Sequence, residues 1–211
     1  MTPPNATARR AAAPPRVVLA SASSARADIL RRAGVGCEFD AAAIDEDEIK
    51  RAMGAEGAPA TAVAETLAEH KAQRVSRRHP DALVIGADQI LDCAGVWFDK
   101  PVDNSHARTH LMALRGRTHE LISCVCVVRD GQRLWHHLGH AKLTMRPFTD
   151  GFLDDYLAAV GPAALESVGA YQLEGRGAQL FSKVEGDYFT ILGLPLLALL
   201  DFLRNHGVVK P

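Results

Sequence analysis

Residues 16–34 read RVVLASASSARADILRRAG. The run Arg16 to Ala20 is short and apolar and follows prolines, which is the pattern of a buried strand. Ser21, Ala22, Ser23 and Ser24 break the run with hydroxyls. Ala25 to Ala33 then reads as a helix, with Ser23 or Ser24 placed to cap its start and Gly34 to stop it. The unit is strand, serine loop, helix. Such a loop turns backbone N–H groups outward at a helix N-terminus, where the dipole favours an anion. Ser21 and Arg26 add side-chain donors to the same place.

Working outward, Cys37 to Ala43 is a weak strand, and Ile44 to Lys50 (IDEDEIK) is an acidic turn leading into a short helix. Thr61 to Arg78 has helical spacing, with Thr61 as the expected cap. Ala82 to Ala87 (ALVIGA) is a buried strand that runs into Asp88, and Leu91 to Phe98 turns back as another. Asp103 to Leu114 predicts a helix ended by Gly116. Leu121 to Val128 and Leu134 to Met145 predict two strands joined by a turn at Asp130-Gly131. Thr149 caps a helix to Val160, whose stripe is Phe152, Leu153, Tyr156, Leu157 and Val160. The glycine-rich stretch Gly169 to Phe181 predicts strand, loop, strand, and Leu196 to His206 a closing helix. Strands and helices mix without strict alternation, which predicts an α/β (mixed α+β) chain with a mixed sheet.

The chain has 211 residues, 47% of them hydrophobic, enough for a sizeable core without disulfide staples. Its formal net charge of −1 excludes binding of nucleic acid or an anionic membrane by bulk charge. No apolar run approaches the roughly eighteen residues of a membrane span. Met1 to Arg16 has arginines but no apolar h-region, so residues 1–15 read as a disordered tail rather than a secretory signal. None of the four cysteines forms a C-x-x-C pair. Cys124 and Cys126 alternate with Val, as small apolar residues on one strand face, which fits a reducing compartment.

Beyond the serine loop, the polar candidates are few. Asp88 directly follows a buried strand, where a carboxylate needs a partner, a metal or a catalytic task. Asp45, Glu46, Asp47 and Glu48 crowd carboxylates that water must screen or a hard cation must join. Lys71 and Lys100 could offset phosphate charge. Glu174-Gly175-Arg176-Gly177 and Glu185-Gly186-Asp187 could turn sharply or approach a ligand closely. His106 and His110, four apart on a helix, raise a rival zinc site. No Glu follows His106 as the zinc-protease motif requires.

In this order the segments LASASSARADILRRAG (19–34), IDEDE (44–48), LAEHKA (67–72), IGADQ (85–89), DKP (99–101), GAYQLEGRGAQLF (169–181) and VEGDYFTILGLPL (184–196) resemble the Maf family of nucleoside triphosphate pyrophosphatases. The likeness runs from Val17 to about Arg204. It implies the Maf/Ham1-type fold, an elongated mixed sheet with flanking helices and a central cleft. The single catalytic domain would span residues 16–206, two lobes around that cleft. The implied reaction is metal-dependent hydrolysis of a nucleoside triphosphate to the monophosphate and pyrophosphate, with Mg²⁺ or Mn²⁺ as the divalent cation. Family members are cytoplasmic and often homodimeric. By resemblance Asp88 is the strand-end proton acceptor, Glu46 and Asp88 hold the cation, and Ser21, Arg26, Lys71 and Lys100 contact phosphates. Three further positions relate to substrate choice: Ala25, Gln89 and Glu174. Gln89 and Glu174 match the type acting on 7-methyl-GTP, while Ala25 stands where that type carries a stacking Trp. The alternatives are a dTTP/UTP-type or broad-range pyrophosphatase, or a non-catalytic nucleotide-binding division regulator.

Overall fold

The computed structural model describes residues 14–210. The expected disordered tail, apart from its last two residues, lies outside them. The strands are β1 (Val17–Leu19), β2 (Glu38–Phe39), β3 (Leu83–Cys93), β4 (Val96–Phe98), β5 (Thr118–Arg129), β6 (Gln132–Met145) and β7 (Phe181–Gly186). The helices are α1 (Ser24–Arg32), α2 (Glu46–Ala55), α3 (Ala60–Ser76), α4 (Asn104–Leu114), α5 (Asp150–Val160), α6 (Tyr188–Ile191) and α7 (Leu196–Asn205). Six strands run in the order β2-β1-β3-β5-β6-β7, and β4 pairs with β3 off that path. β1 is parallel to β2 and β3, and the remaining pairs are antiparallel. The mixed sheet expected from the sequence is present.

The strand periodicity sorts the core. Val18, Ala20, Val84, Cys124, Cys126 and Val128 face α3, which buries Val63, Ala64, Leu67, Ala68, Ala72 and Val75 against them. Their neighbours Val17, Leu19, Leu83, Ile85, Val125 and Val127 face α1 and α7 on the opposite side. Farther along that same side, Leu91 and Leu121 pack with α4, α5 and a chain of short 3₁₀ turns. The face opposite α3 is thus covered in two patches, with the middle of β3 and β5 between them.

β3 decides where a site can form. On one edge it pairs with β5 continuously from Val84 to Asp92. On the other edge β1 covers it only to Ile85, and β4 joins only at Leu91. Between those points the edge of β3 has no strand partner, and Asp88 lies in that gap. The sequence places Asp88 at a strand end; it sits instead in the interior of an eleven-residue strand. Leu91 to Cys93 continue β3 rather than beginning its hairpin partner, which is confined to β4. Two other expectations change. Pro59, not Thr61, occupies the N-cap of α3, with no side-chain cap bond, because the helix begins two residues earlier than a Thr61 cap requires, at Ala60. Gly169 to Leu180 forms turns and short 3₁₀ segments rather than two strands, with Gly177 packed against the Gln172 backbone, and Phe181 begins β7.

The close approach of α3 depends on small residues. A Cβ on Gly86 would lie 2.1 Å from the Ala68 carbonyl oxygen and 2.8 Å from the Ala72 Cβ. Gly86→Ala must therefore push α3 off the sheet. Overpacking of this kind costs about 3 kcal/mol. The expected outcome in thermal denaturation is a Tm lower by roughly 6–12 °C, on the scaling for a chain of this size.

Candidate functional site

Each site residue follows from its element. The serine loop after β1 gives α1 its cap: the Ser23 hydroxyl accepts from the Arg26 backbone N–H at 3.4 Å. Ser21 Oγ accepts from the Ser23 N–H at 3.2 Å. The cap fixes where Arg26 leaves the helix, and the guanidinium then reaches into the gap beside β3. Its Nη1 donates to the Ala87 carbonyl at 2.9 Å and to Ser21 Oγ at 3.3 Å, while Nε donates to the Gly193 carbonyl at 2.8 Å. Arg26 takes the place of a neighbouring strand there. Burial lowers its pKa while Asp88 and Glu46 raise it, and an arginine remains a cation under such a shift.

The acidic run resolves into separate roles. Asp45 caps α2, its Oδ1 accepting from the Glu48 N–H at 2.9 Å. Carboxylates in a first helical turn are favoured by the dipole, so their crowding needs no cation to explain it. Glu46 and Asp47 line the cleft. Lys71 rises from the buried face of α3 between two carboxylates, with Nζ 2.6 Å from Asp88 Oδ1 and 2.9 Å from Glu46 Oε1. Lys71 and Asp88 are both buried. Such a pair survives burial only when geometry and further hydrogen bonds offset desolvation. The second oxygen, Asp88 Oδ2, is buried with no hydrogen-bond partner among the described residues.

Two more lysines reach the cleft. Lys50, one turn beyond Glu46, forms an ion pair with Asp99. Burial is the largest influence and pulls its amine down, but the bond to Asp99 together with the charges of Asp99, Asp88 and Glu46 holds it above the ordinary lysine range. Lys100 lines the cleft without a hydrogen bond or ion pair among the described residues. Partial burial, then the charge of Arg26, pulls its amine below the usual lysine range. It is the cleft lysine left free to meet an anion.

The cleft has two adjoining halves. The charged half, about 410 Å³, holds Ser21, Arg26, Glu46, Lys71, Asp88 and Lys100. The other, about 420 Å³, is walled by Leu121, Leu165, Val168, Tyr171, Leu173 and Ile191, with Glu174 at its edge. Ala25, Gln89, Lys100, Glu166 and Ser167 belong to both. All the residues expected from the sequence, Ser21, Ala25, Arg26, Glu46, Lys71, Asp88, Gln89, Lys100 and Glu174, therefore line one continuous cleft. Lys71 differs in detail, since its amine is engaged by carboxylates. Glu174 lies in a turn rather than in a hairpin of strands. Sequence reading misses Lys50, Glu166, Ser167 and Ser123. Only Ser123 carries a signal, a lone hydroxyl within the apolar run of β5.

His106 and His110 do not form a metal centre. Their Nε2 atoms are hydrogen-bonded to each other at 2.9 Å, and the His106 Nδ1 accepts from the Val102 N–H. No group of three His, Cys, Asp or Glu residues able to hold a metal gathers among the described residues, whereas a catalytic zinc takes three protein ligands. The four cysteines are unpaired thiols. No helix among the described residues is long and apolar enough to cross a membrane.

A charged half with a buried, half-satisfied carboxylate and a second half walled by leucines, Tyr171 and polar side chains suit a ligand that is polyanionic at one end and flat at the other. Residues 16–206 match the family described as Maf-like protein. Over 194 residues the chain is 61% identical to the nucleoside triphosphate pyrophosphatase of Paramagnetospirillum magneticum, covering 92% of this chain and 100% of the relative. It is 54% identical over 191 residues to the protein of the same name from Granulibacter bethesdensis (90% and 97% covered). It is 52% identical over 195 residues to the 7-methyl-GTP pyrophosphatase of Rhizobium johnstonii (92% and 98% covered).

The wall of the apolar half has a pH-sensitive support. Tyr171 Oη meets His119 Nε2 at 2.7 Å, both side chains buried, while His119 Nδ1 has no partner among the described residues. Burial pushes the Tyr171 phenol well above its usual range and His119 down to about 4. Unfolded, the same imidazole titrates near 6.5. Between those values the unfolded chain binds a proton that the folded one does not, so stability falls as pH drops from about 6.5 toward 4, by up to about 3 kcal/mol from this group. Urea denaturation across that window should show a shallower slope for His119→Gln than for the parent; equal slopes would discount His119 as the cause.

Proposed function

The chain belongs to the Maf-like family, and on that premise we propose that its cleft hydrolyses a nucleoside triphosphate to the monophosphate and pyrophosphate. The carrying observation is Asp88: buried, tied to Lys71 through one oxygen, with the other oxygen unpartnered among the described residues, in the charged half of the cleft. In this reading the triphosphate lies along Ser21, Arg26 and Lys100. A water oxygen forms a bond to the α-phosphorus, the bond to the bridging oxygen breaks, and pyrophosphate leaves. Asp88 Oδ2 takes the proton of the attacking water. Arg26, Lys100 and the N–H groups of the serine loop stabilise the negative charge that grows on the phosphoryl oxygens. Lys71 holds Asp88 and Glu46 at a fixed spacing.

The donor set fits a hard divalent cation. Glu46 and Asp88 each offer a carboxylate to it at the charged half of the cleft. Mg²⁺ commonly binds through one or two carboxylates and completes its shell with substrate phosphates and water. Glu46 and Asp88 would hold Mg²⁺ or Mn²⁺ here, and such a cation supplies phosphate neutralisation and water activation when bound.

Toward the base, the apolar half presents leucines, Tyr171 and the Glu174 carboxylate. A carboxylate accepts from the N1–H and N2–H₂ donors of guanine and attracts a positively charged ring. These features support 7-methyl-GTP as a substrate, and Ala25 leaves the opposite wall open rather than stacked.

Asp88→Asn keeps the shape and removes the base. Pyrophosphate release should drop by about 10²–10⁴-fold with unchanged circular dichroism; full activity in that variant would remove Asp88 from its role. EDTA should silence the parent, and Mg²⁺ or Mn²⁺ should restore it. In a panel of 7-methyl-GTP, GTP, CTP, UTP and dTTP, kcat/KM should be higher for 7-methyl-GTP than for UTP. A pyrimidine preference would favour the dTTP/UTP-type reading, and nucleotide binding without pyrophosphate release would favour a non-catalytic regulator.

A further inference from the structure

We infer that the side-chain carbonyl of Gln89 accepts a hydrogen bond from a sugar hydroxyl of the nucleotide, and that Ser123 is the positioning residue that turns it that way. The inference rests on the pyrophosphatase reading for the placement of the triphosphate. The orientation of Gln89 rests on the structure alone.

Gln89 follows Asp88 on β3 and points to the opposite face. Its two amide hydrogens meet three acceptors: Ser123 Oγ at 2.9 Å, the Thr190 carbonyl at 3.1 Å and the Ile191 carbonyl at 3.1 Å. Turned the other way, the amide oxygen would face two carbonyl oxygens, so chemistry dictates the assignment. Ser123 is fully buried and gives its own proton to the Thr190 carbonyl at 2.8 Å, leaving a lone pair for Gln89. Thr190 is itself fixed. Asp187 Oδ2 accepts from its N–H at 2.7 Å and from its hydroxyl at 3.0 Å. Gly139 permits this, since a Cβ there would lie 2.5 Å from Thr190 Oγ1.

The amide oxygen is the one polar atom of Gln89 left over, and it makes no hydrogen bond among the described residues. It borders the space above Gly193, where an added Cβ would lie 3.6 Å from Gln89 Oε1 and 3.5 Å from Arg26 Nη2. Gln89 belongs to both halves of the cleft. With phosphates in the charged half and the base in the apolar half, the connecting sugar occupies the junction. The hydrogen-bond donors of a sugar are its hydroxyls, and the atom facing them accepts only.

The test compares a ribonucleoside triphosphate with its 2′-deoxy and 3′-deoxy counterparts of the same base. Pyrophosphate release by the parent from the ribonucleotide is measured first; its absence defeats the pyrophosphatase reading and not the orientation of Gln89. For the parent, kcat/KM should fall about tenfold when the contacted hydroxyl is removed. Gln89→Met should reduce that preference to within about twofold, and Ser123→Ala should lower it about threefold, with the ratio between two bases unchanged in both. Each ratio is taken on one protein sample, so a smaller folded fraction cancels. Equal rates for all three sugars in the parent would overturn the inference. So would a Gln89→Met variant whose base preference changes while its sugar preference stays. If Gln89→Met does not fold, the Ser123→Ala ratio decides, together with the affinities of the parent for non-hydrolysable ribo- and deoxyribonucleotide analogues.

Discussion

The buried contact between Lys71 and Asp88 constrains the rest of the molecule. An ammonium and a carboxylate at 2.6 Å, both shielded from water, offset each other's desolvation, and the ammonium keeps a second carboxylate in Glu46. The contact sets how close α3 must lie to β3. That spacing in turn demands Gly86 on the strand and Ala68 and Ala72 on the helix, because any added carbon fills the space the helix occupies. Glu46 joins the same ammonium, so the start of α2 is fixed by the pair as well. One ion pair thus determines the separation of a central strand, the helix that covers it and the helix that closes the cleft.

The second constraint is topological. A strand with continuous partners on both edges has no backbone to spare for a ligand. β3 has β5 along one edge, while β1 stops short and β4 arrives late on the other. The opening lies just beyond the C-terminal end of β1, where parallel strands of other α/β sheets also admit ligands. Arg26 shows how the gap is kept open without leaving polar groups orphaned. Its guanidinium satisfies the Ala87 carbonyl, as a neighbouring strand would, yet a side chain leaves room that a strand would fill. Since Arg26 also holds Ser21 and Gly193, three segments distant in sequence meet at one cation.

The parts legible in the sequence are those whose cause is local. Ser23 and Thr149 cap helices because a hydroxyl at that position satisfies a free N–H, and Asp130-Gly131 turns a hairpin because both residues adopt positive φ. The residues of the cleft are legible through the joint order of their segments, and they do converge. Failures arise where the deciding contact is remote. Nothing near Asp88 shows that β3 continues to Cys93, because that continuation depends on pairing with β5. The glycines from 169 to 177 suit a hairpin and a 3₁₀ turn equally, and the choice falls to packing of Gly177 on Gln172. Lys71 carries no local sign that its amine is engaged by two carboxylates rather than free for phosphate.

Charge in the cleft bears on how a polyphosphate could bind. Arg26, Lys50, Lys71 and Lys100 line the charged half, but so do Glu46, Asp47, Asp88, Asp99 and Glu166. Four cations face five carboxylates, and two of the lysines are already paired. A bare triphosphate entering such a cleft gains little net attraction, since attraction from Lys100 is opposed by nearby acids. A triphosphate already neutralised by a divalent cation would meet the reverse balance: its phosphate oxygens would face Lys100 and the serine loop, and its cation the carboxylates of the cleft. The excess of acid that weakens binding of the bare anion is then what favours the metal complex. That balance is invisible in a chain total of −1, because it is set by which charges the fold brings to the edge of β3.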